Sequence, residues 1–473
     1  MCEDRGQSGG WSGSTPLYDV LRARALGGTA RFHMPGHKGY AVGPGWEDAA
    51  ALDFTELPAA GGLPGTGNLY GDEAGEGPIR AAEELYAKAY GAEDCLFLTG
   101  GATQGILALL AYVTDNGRGM GTVVADRGCH FSVHNALGLL DLSPVWVQAP
   151  VAEPFGVSGA MPVHTLEAAL SAHPEAACAV VTSPTYYGVL SDIPALAAVC
   201  RGRGVPLLVD AAHGAHLPFL EGFSAPVAQG AAAAVLSAHK TLPALGQSAF
   251  LLTGAGIDAD LLRRRAALFG SSSPSYLLMA SLDLARAHMV GVGREQLQTV
   301  ARWADRLRRN SPFFLRPDGY DMAIDPLRLC LYTGQGREDA ARLARDWGVV
   351  CEMADDRNAV FLLSGLNGPA DLARLETAVT ALTAGRAAPP PLSLTPPSPL
   401  PEAVCTPRRA LFAPHVRLPI GDCAGRVAGE PVGLYPPGVP LAARGEVIGP
   451  QAAAALAGAG VAFCEVLRGK TIP

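Results

Sequence analysis

Short apolar runs recur between Cys95 and Leu252, and most are followed by a stretch whose apolar positions repeat every three or four residues. The runs are CLFL (95–98), TVVA (122–125), PVWV (144–147), AVVTS (179–183), PLLVD (206–210), AAAVLS (232–237) and AFLL (249–252). Near-continuous apolar runs of this length predict strands covered on both faces, because half-exposed strands alternate instead. Helices are predicted over 102–113, 130–140, 164–172 and 193–202. Strand–helix alternation of this kind predicts an α/β layered domain built on a mainly parallel sheet. Ligands of such sheets bind beyond the carboxyl ends of the strands, and the polar residues of this stretch gather there. Upstream, Thr15 to Leu26 has helical spacing that breaks at Gly27 and Gly28. Downstream, the pattern is helical from about residue 257 to Arg309, then mixed strand and helix to Ala387.

Punctuation divides the chain further. Residues 388–401, APPPLSLTPPSPLP, cannot form a helix and favour extended polyproline geometry, which predicts a linker. The Gly- and Ser-rich residues 1–14 predict a mobile N-terminus. These breaks leave an N-terminal arm and large domain over 15–309, a small α+β domain over 310–387 and a C-terminal domain over 402–473.

Composition narrows the class. With 49% hydrophobic and 17% charged residues, the chain is unlike a disordered one, and 473 residues suit two or three packed units. A net charge of -8, with no basic run beyond Arg263, Arg264 and Arg265, argues against a nucleic-acid partner. No stretch approaches the roughly 18 apolar residues of a membrane span, and the N-terminus lacks a basic-then-apolar leader. Ten scattered cysteines without a CxxC pair predict reduced thiols, no metal site and a cytoplasmic location.

The strand ends carry the candidate chemistry. The run 95–98 leads into TGGATQG (99–105), where glycines admit an anion to the backbone and a helix N-terminus adds partial positive charge. Thr103 adds a hydroxyl, although ordinary turns use Gly as well. In ADRGCHFS (125–132), His130 stands at a helix start, either capping it or stacking on a flat ligand. PTYYG (184–188) is a packed loop or a source of aromatic and hydroxyl contacts. The run 206–210 ends in Asp210, followed by Ala211, Ala212 and His213. An acid at the end of an apolar strand is costly unless it meets a positive partner, and the protonated pyridine nitrogen of pyridoxal phosphate (PLP) is such a partner. The next run ends in SAHK (237–240). Desolvation there lowers the lysine pKa and frees a neutral amine for imine formation. Ser237 and His239 reach a phosphate as the chain turns. Together these strand ends predict a PLP enzyme in which Lys240 carries the cofactor as a Schiff base.

The sequence resembles the Orn/Lys/Arg decarboxylase family of fold-type I PLP enzymes, in its shorter bacterial form. The stretches that carry the resemblance are RFHMPGHKG (31–39), DFTELP (53–58), EGPIRAAEELYAKAYGA (76–92), FLTGGATQG (97–105), SPTYYG (183–188), VDAAHGAH (209–216), SAHKTLPALGQSA (237–249), SSSPSYLLMASLDLAR (271–286) and YPPGVP (435–440). The resemblance implies a PLP-dependent transferase-like large domain, a small domain and the family's C-terminal domain. It implies that Asp210 pairs with the pyridine nitrogen, that His213 lies near the ring's phenolic oxygen, and that His130 stacks on the ring. Ala102 and Thr103 hold the phosphate in this reading, with Ser237 and His239 assisting. Ser273 and Ser275 reach a neighbouring subunit's site, so a homodimer is the minimum unit. Glu352 receives the distal cation of a basic amino acid, or else is a solvated acid at a strand edge. The implied activity is decarboxylation of arginine, lysine or ornithine, in polyamine metabolism.

Two departures bear on the substrate. Family members commonly have an acid after the aspartate equivalent to Asp210, where this chain has Ala211. The stretch LPAAGGLPGTGNLYGDEAG (57–75) is longer and richer in glycine than usual, and is expected near the cofactor mouth. An aminotransferase or lyase on the same fold stays open, although no arginine is assigned to clamp an α-carboxylate. So do an oxygen-using variant and an inactive PLP-fold partner.

Overall fold

The computed structural model describes residues 13–26, 77–115, 121–152, 155–316, 323–390, 400–433 and 438–469. The motifs at 31–39 and 53–58, the segment 57–75, positions 391–399 of the linker, 435–437 and residues 1–12 of the N-terminus lie outside the described residues.

All seven apolar runs enter one sheet: β1 (Asp94–Leu98), β2 (Thr122–Asp126), β3 (Ser143–Val147), β4 (Cys178–Thr182), β5 (Leu207–Asp210), β6 (Ala233–Leu236) and β7 (Ala249–Thr253). Their order across the sheet is β3-β2-β4-β5-β6-β7-β1. From β3 to β6 every pairing is parallel, while β7 runs antiparallel to both β6 and β1. The reversal has a local cause. Between β6 and β7 the chain forms only one helical turn, Ala238–Thr241, instead of a crossover helix, so it returns beside β6 in the opposite sense. That turn carries Lys240. Every residue of β1, β5, β6 and β7 is buried, as uninterrupted apolar runs require.

Helices cover the faces: α1 (Pro16–Leu26), α3 (Gly101–Asp115), α4 (Phe131–Leu139), α5 (Val163–Ala172) and α6 (Ile193–Gly202) lie where the spacing predicts, and α2 (Pro78–Tyr90) adds a helix not predicted. The first backbone amides of α1 have no partner within the helix. Those of Leu17 and Tyr18 donate to the Asp283 carboxylate at 3.1 and 3.3 Å, which anchors the arm to the large domain. The long helical pattern after residue 257 resolves into α7 (Ala259–Ala267), α8 (Tyr276–His288) and α9 (Arg294–Asn310). Asp258 and Ser275 cap the first two through side-chain oxygens that accept from Leu261 and Leu278 amides. A π-type turn over Met289–Gly293 joins the last two.

Beyond α9, an antiparallel sheet of Arg328–Tyr332, Asn358–Leu362 and Met353–Ala354 carries helices Gly336–Trp347 and Pro369–Thr383. Ala323–Ile324 pairs with Val189–Leu190, so this unit is stitched to the loop after β4. The last described residues pair His415–Pro419 with Phe463–Leu467 around a core that includes Ile420, Cys423, Ile448, Leu456 and Val466. They dock at the carboxyl end of β2. Arg127, fully buried, donates from both Nη atoms to Glu446 at 2.9 and 2.6 Å and from Nε to the Pro440 carbonyl at 3.0 Å. Arg444 reaches the His134 carbonyl at 3.2 Å and pairs with Glu430. Among the described residues no helix is long and apolar enough to cross a membrane.

Candidate active site

A cavity of about 500 Å³ opens at the carboxyl ends of β2, β4, β5 and β6. Its wall includes Ala102, Thr103, His130, Asp210, His213, Ser237, His239 and Lys240, so the strand-end residues that the sequence singles out converge on one space.

Lys240 Nζ lies 3.1 Å from His213 Nε2. Desolvation lowers the lysine pKa and nearby Arg328 adds to the shift, while Asp210 and Glu352 oppose it. Asp210 ends β5 with 4% of its surface exposed, and its Oδ1 accepts the Ala212 amide at 3.1 Å. His213 is held well below the ordinary imidazole range by burial first, then by Arg328 and Lys240. Its ring meets Tyr186 edge-on, with centroids 5.0 Å apart. His130 caps the helix as its position suggested, and it also faces the cavity. Its Nδ1 accepts the Ser132 amide at 3.2 Å, capping α4, and its ring lines the cavity.

Part of the cavity wall is suited to an anion. Gly101, at φ +73°, takes the left-handed conformation that opens α3 beside Ala102 and Thr103. Ser237 is buried, and His239 donates from Nδ1 to the Ser248 carbonyl at 2.9 Å, which fixes its ring against β7.

Three expected residues lie apart from this wall. Ser275 caps α8, and Ser273 sits on an exposed turn where its amide meets Ser271 Oγ at 3.1 Å. Glu352 is exposed, yet its Oε1 accepts the Tyr186 hydroxyl at 2.9 Å, and Tyr186 is part of the wall.

Other wall residues were not anticipated. Pro431, Gly433, Gly438 and Pro440 come from the C-terminal unit; the last two lie within YPPGVP (435–440), which was given no role at the cavity, and no local pattern marks the first two. Arg328 was not anticipated either; it lies outside the wall, buried behind His213 and bonded to its Nδ1 at 3.2 Å. Asp126 is the third case, and it has the same signature as Asp210, an acid that ends an apolar strand. Burial pushes its carboxyl up to about 6, with Gly128 and Thr182 backbone bonds working against the shift.

A carboxyl raised from 3.8 to about 6 binds its proton more tightly in the folded chain. The associated stability is full below about pH 3.8 and is lost as pH rises through about 6. At ~1.4 kcal/mol per unit this amounts to about 3 kcal/mol. In the cofactor-free protein, Asp126→Asn should therefore gain up to about that much over the native chain above pH 6, and little near pH 4. Urea unfolding across this range measures it; parallel pH profiles would refute the assignment.

PLP fits these residues. It is a planar ring with a basic nitrogen, an aldehyde and a phosphate, and the cavity offers a buried acid, an amine with depressed pKa and a helix N-terminus with adjacent hydroxyls. The Thr182 hydroxyl oxygen, in the same wall, is buried without a hydrogen-bond partner among the described residues, as expected of a site that receives a polar ligand.

Comparison with known proteins agrees. A family profile described as Orn/Lys/Arg decarboxylase, major domain, matches residues 15–312. The chain is 29% identical over 453 residues to an arginine decarboxylase of Halalkalibacterium halodurans, covering 92% of this chain and 91% of that protein. It is 31% identical over 466 residues to the uncharacterized protein YaaO of Bacillus subtilis, with 92% of each covered. A lysine decarboxylase structure from Francisella novicida aligns with a TM-score of 0.77 over 97% of this chain and 82% of that one. Its 19% identity makes it a witness to the fold alone. A matching profile over most of the chain, the expected mainly parallel sheet and a cavity suited to the cofactor lead to one conclusion: the chain belongs to the Orn/Lys/Arg decarboxylase family of PLP-dependent, fold-type I enzymes.

Proposed function

We propose that this protein decarboxylates a basic amino acid, arginine, lysine or ornithine, to the corresponding amine. The observation that carries the substrate class is the Glu352 carboxylate, bonded to Tyr186 at 2.9 Å where that ring enters the cavity wall. An acid beside the wall, close enough to act electrostatically on Lys240, suits an amino acid whose side chain ends in a cation. The relatives named arginine decarboxylase make arginine the first substrate to test.

PLP, when bound, supplies a carbonyl carbon that joins an amine and a ring that accepts the electron pair left as carbon dioxide departs. In this reading Lys240 carries it and afterwards holds, at Nζ, the proton destined for Cα. Asp210 would hold a proton on the pyridine nitrogen, His130 would take one face of the ring, and His213 would serve its phenolic oxygen. The amides opening α3, with Thr103, Ser237 and His239, hold the phosphate. Ser273 and Ser275 lie on a surface turn away from this chain's own cavity, consistent with a homodimer in which they serve a neighbouring site. The amine products belong to polyamine metabolism, and the free cysteines among the described residues suit a cytoplasmic protein. Arg328 weighs against an aminotransferase: its Nη atoms are engaged by the Tyr186 carbonyl at 2.7 Å and by His213 Nδ1 at 3.2 Å, instead of being free to clamp a carboxylate.

Mass spectrometry of products from arginine, lysine and ornithine tests the reading. Formation of agmatine, cadaverine or putrescine with release of carbon dioxide supports it, and keto-acid products would replace it with transamination. Glu352→Gln tests the specificity acid. Because Glu352 is exposed, its pairing is screened and worth about 0.2–1 kcal/mol. The Michaelis constant for the basic substrate should rise about 1.4- to fivefold, with no change for a neutral analogue such as norleucine. Equal changes for both would remove Glu352 from the site.

A further inference from the structure

His213 faces two side chains that are ordinarily cationic, Arg328 at Nδ1, 3.2 Å away, and Lys240 at Nε2, 3.1 Å away. A neutral imidazole has one donor and one acceptor, and a guanidinium only donates. The acceptor nitrogen must therefore be Nδ1, and the ring proton must sit on Nε2. Whatever Nε2 faces must then accept. In the cofactor-free chain that group is the lone pair of Lys240, which requires the neutral amine.

We infer that Arg328 is a positioning residue that locks His213 as the neutral, Nε2-protonated tautomer and so makes it a hydrogen-bond donor toward the reacting centre. The inference rests on the site assignment above and adds a residue to it.

Arg328 is built to stay in place. It is 1% exposed, its amide donates to the Asp325 carbonyl at 3.1 Å, and its own carbonyl accepts from Arg308 at 2.6 Å. Gly188 passes so close that a Cβ there would stand 2.6 Å from Arg328 Cβ and Cγ. With φ at +92°, position 188 also disfavours any other residue. The glycine of PTYYG thus makes room for the arginine stem, and Nη1 is pinned by the Tyr186 carbonyl. The other groups bearing on His213 act in the same sense. His130 and His216 disfavour its protonation, as do Arg328, Lys240 and burial. Tyr186 presents a ring edge to it, and the nearby acid Asp325 is bonded to His216 Nε2 at 2.9 Å.

Nitrogen-15 NMR of the full-length chain, histidine-labelled and recorded with and without PLP, reads the tautomer directly, with His213→Gln identifying the signals. Between about pH 5 and 8, where an ordinary histidine titrates, the native chain should show unprotonated Nδ1 and protonated Nε2 throughout. Arg328→Met should let His213 exchange tautomers and take up a proton on acidification, and Arg328→Lys should restore the native signals. Labelling of Lys240 in the cofactor-free chain by an amine-selective arylating reagent should move to higher pH in the methionine variant only. A proton on Nδ1 of the native ring overturns the inference without any variant having to fold. So does an Arg328→Met spectrum identical to the native one. Neither readout depends on turnover, so a chain that makes no amine from basic amino acids would remove the functional reading and leave this one standing.

Discussion

Asp210→Asn is expected to lower turnover about 100- to 1,000-fold while PLP stays bound, the loss typical when a preorganised charge partner of the reacting system is removed. The asparagine oxygen can still accept the Ala212 amide now held at 3.1 Å, so the end of β5 keeps its shape and only the charge disappears. In the proposed role, a buried neutral amide would no longer hold a proton on the pyridine nitrogen, and bound PLP would accept electrons less readily. Asp126 is no substitute, because burial, the largest influence on its carboxyl, still favours the protonated form when the Asp210 charge is gone. The measurement is turnover against the absorbance of bound cofactor. Near-native turnover with full occupancy would make Asp210 structural.

Arg127→Met is expected to destabilise the chain by about 3–5 kcal/mol, the usual cost of stranding one partner of a buried ion pair. Glu446 is 3% exposed, and the substitution would leave it with the Ala443 amide, now at 2.8 Å, as its remaining partner among those described. The pair ties residue 127, directly after β2, to the unit that supplies Pro431, Gly433 and Pro440 to the cavity wall. Its loss should therefore weaken substrate binding as well as stability. Replacing both partners, Arg127→Met with Glu446→Gln, removes the stranded charge and should recover much of the stability. Urea unfolding of the single and double variants measures both effects. A single variant within 1 kcal/mol of the native chain would mean that the pair does not hold the C-terminal unit.

The large domain was legible because burial on both faces erases alternation, so each central strand is an unbroken apolar run closed by a polar residue at its carboxyl end. Lys240 and Asp210 stand out by that rule, since a charge ending such a run needs a reason. Asp126 obeys the same rule and was passed over, as TVVA was read without the acid that follows it. Arg328 gives no local signal. It lies 115 residues from His213, and the two meet only because Ala323–Ile324 pairs with Val189–Leu190 and folds the small sheet back over the loop after β4. The C-terminal wall is more remote still, with Arg127 and Glu446 separated by 319 residues. Contacts of that range are set by how layers dock, and hydrophobic periodicity describes only one element at a time.

Lys240 is the residue proposed to carry the cofactor. Borohydride reduction of the PLP-loaded protein, followed by peptide mapping, tests this directly. The predicted result is a single pyridoxyl group on the peptide bearing Lys240, and none in a Lys240→Ala variant treated identically. A reduced adduct on Lys38, or no adduct in a protein that binds PLP, would contradict the assignment and the chemistry built upon it.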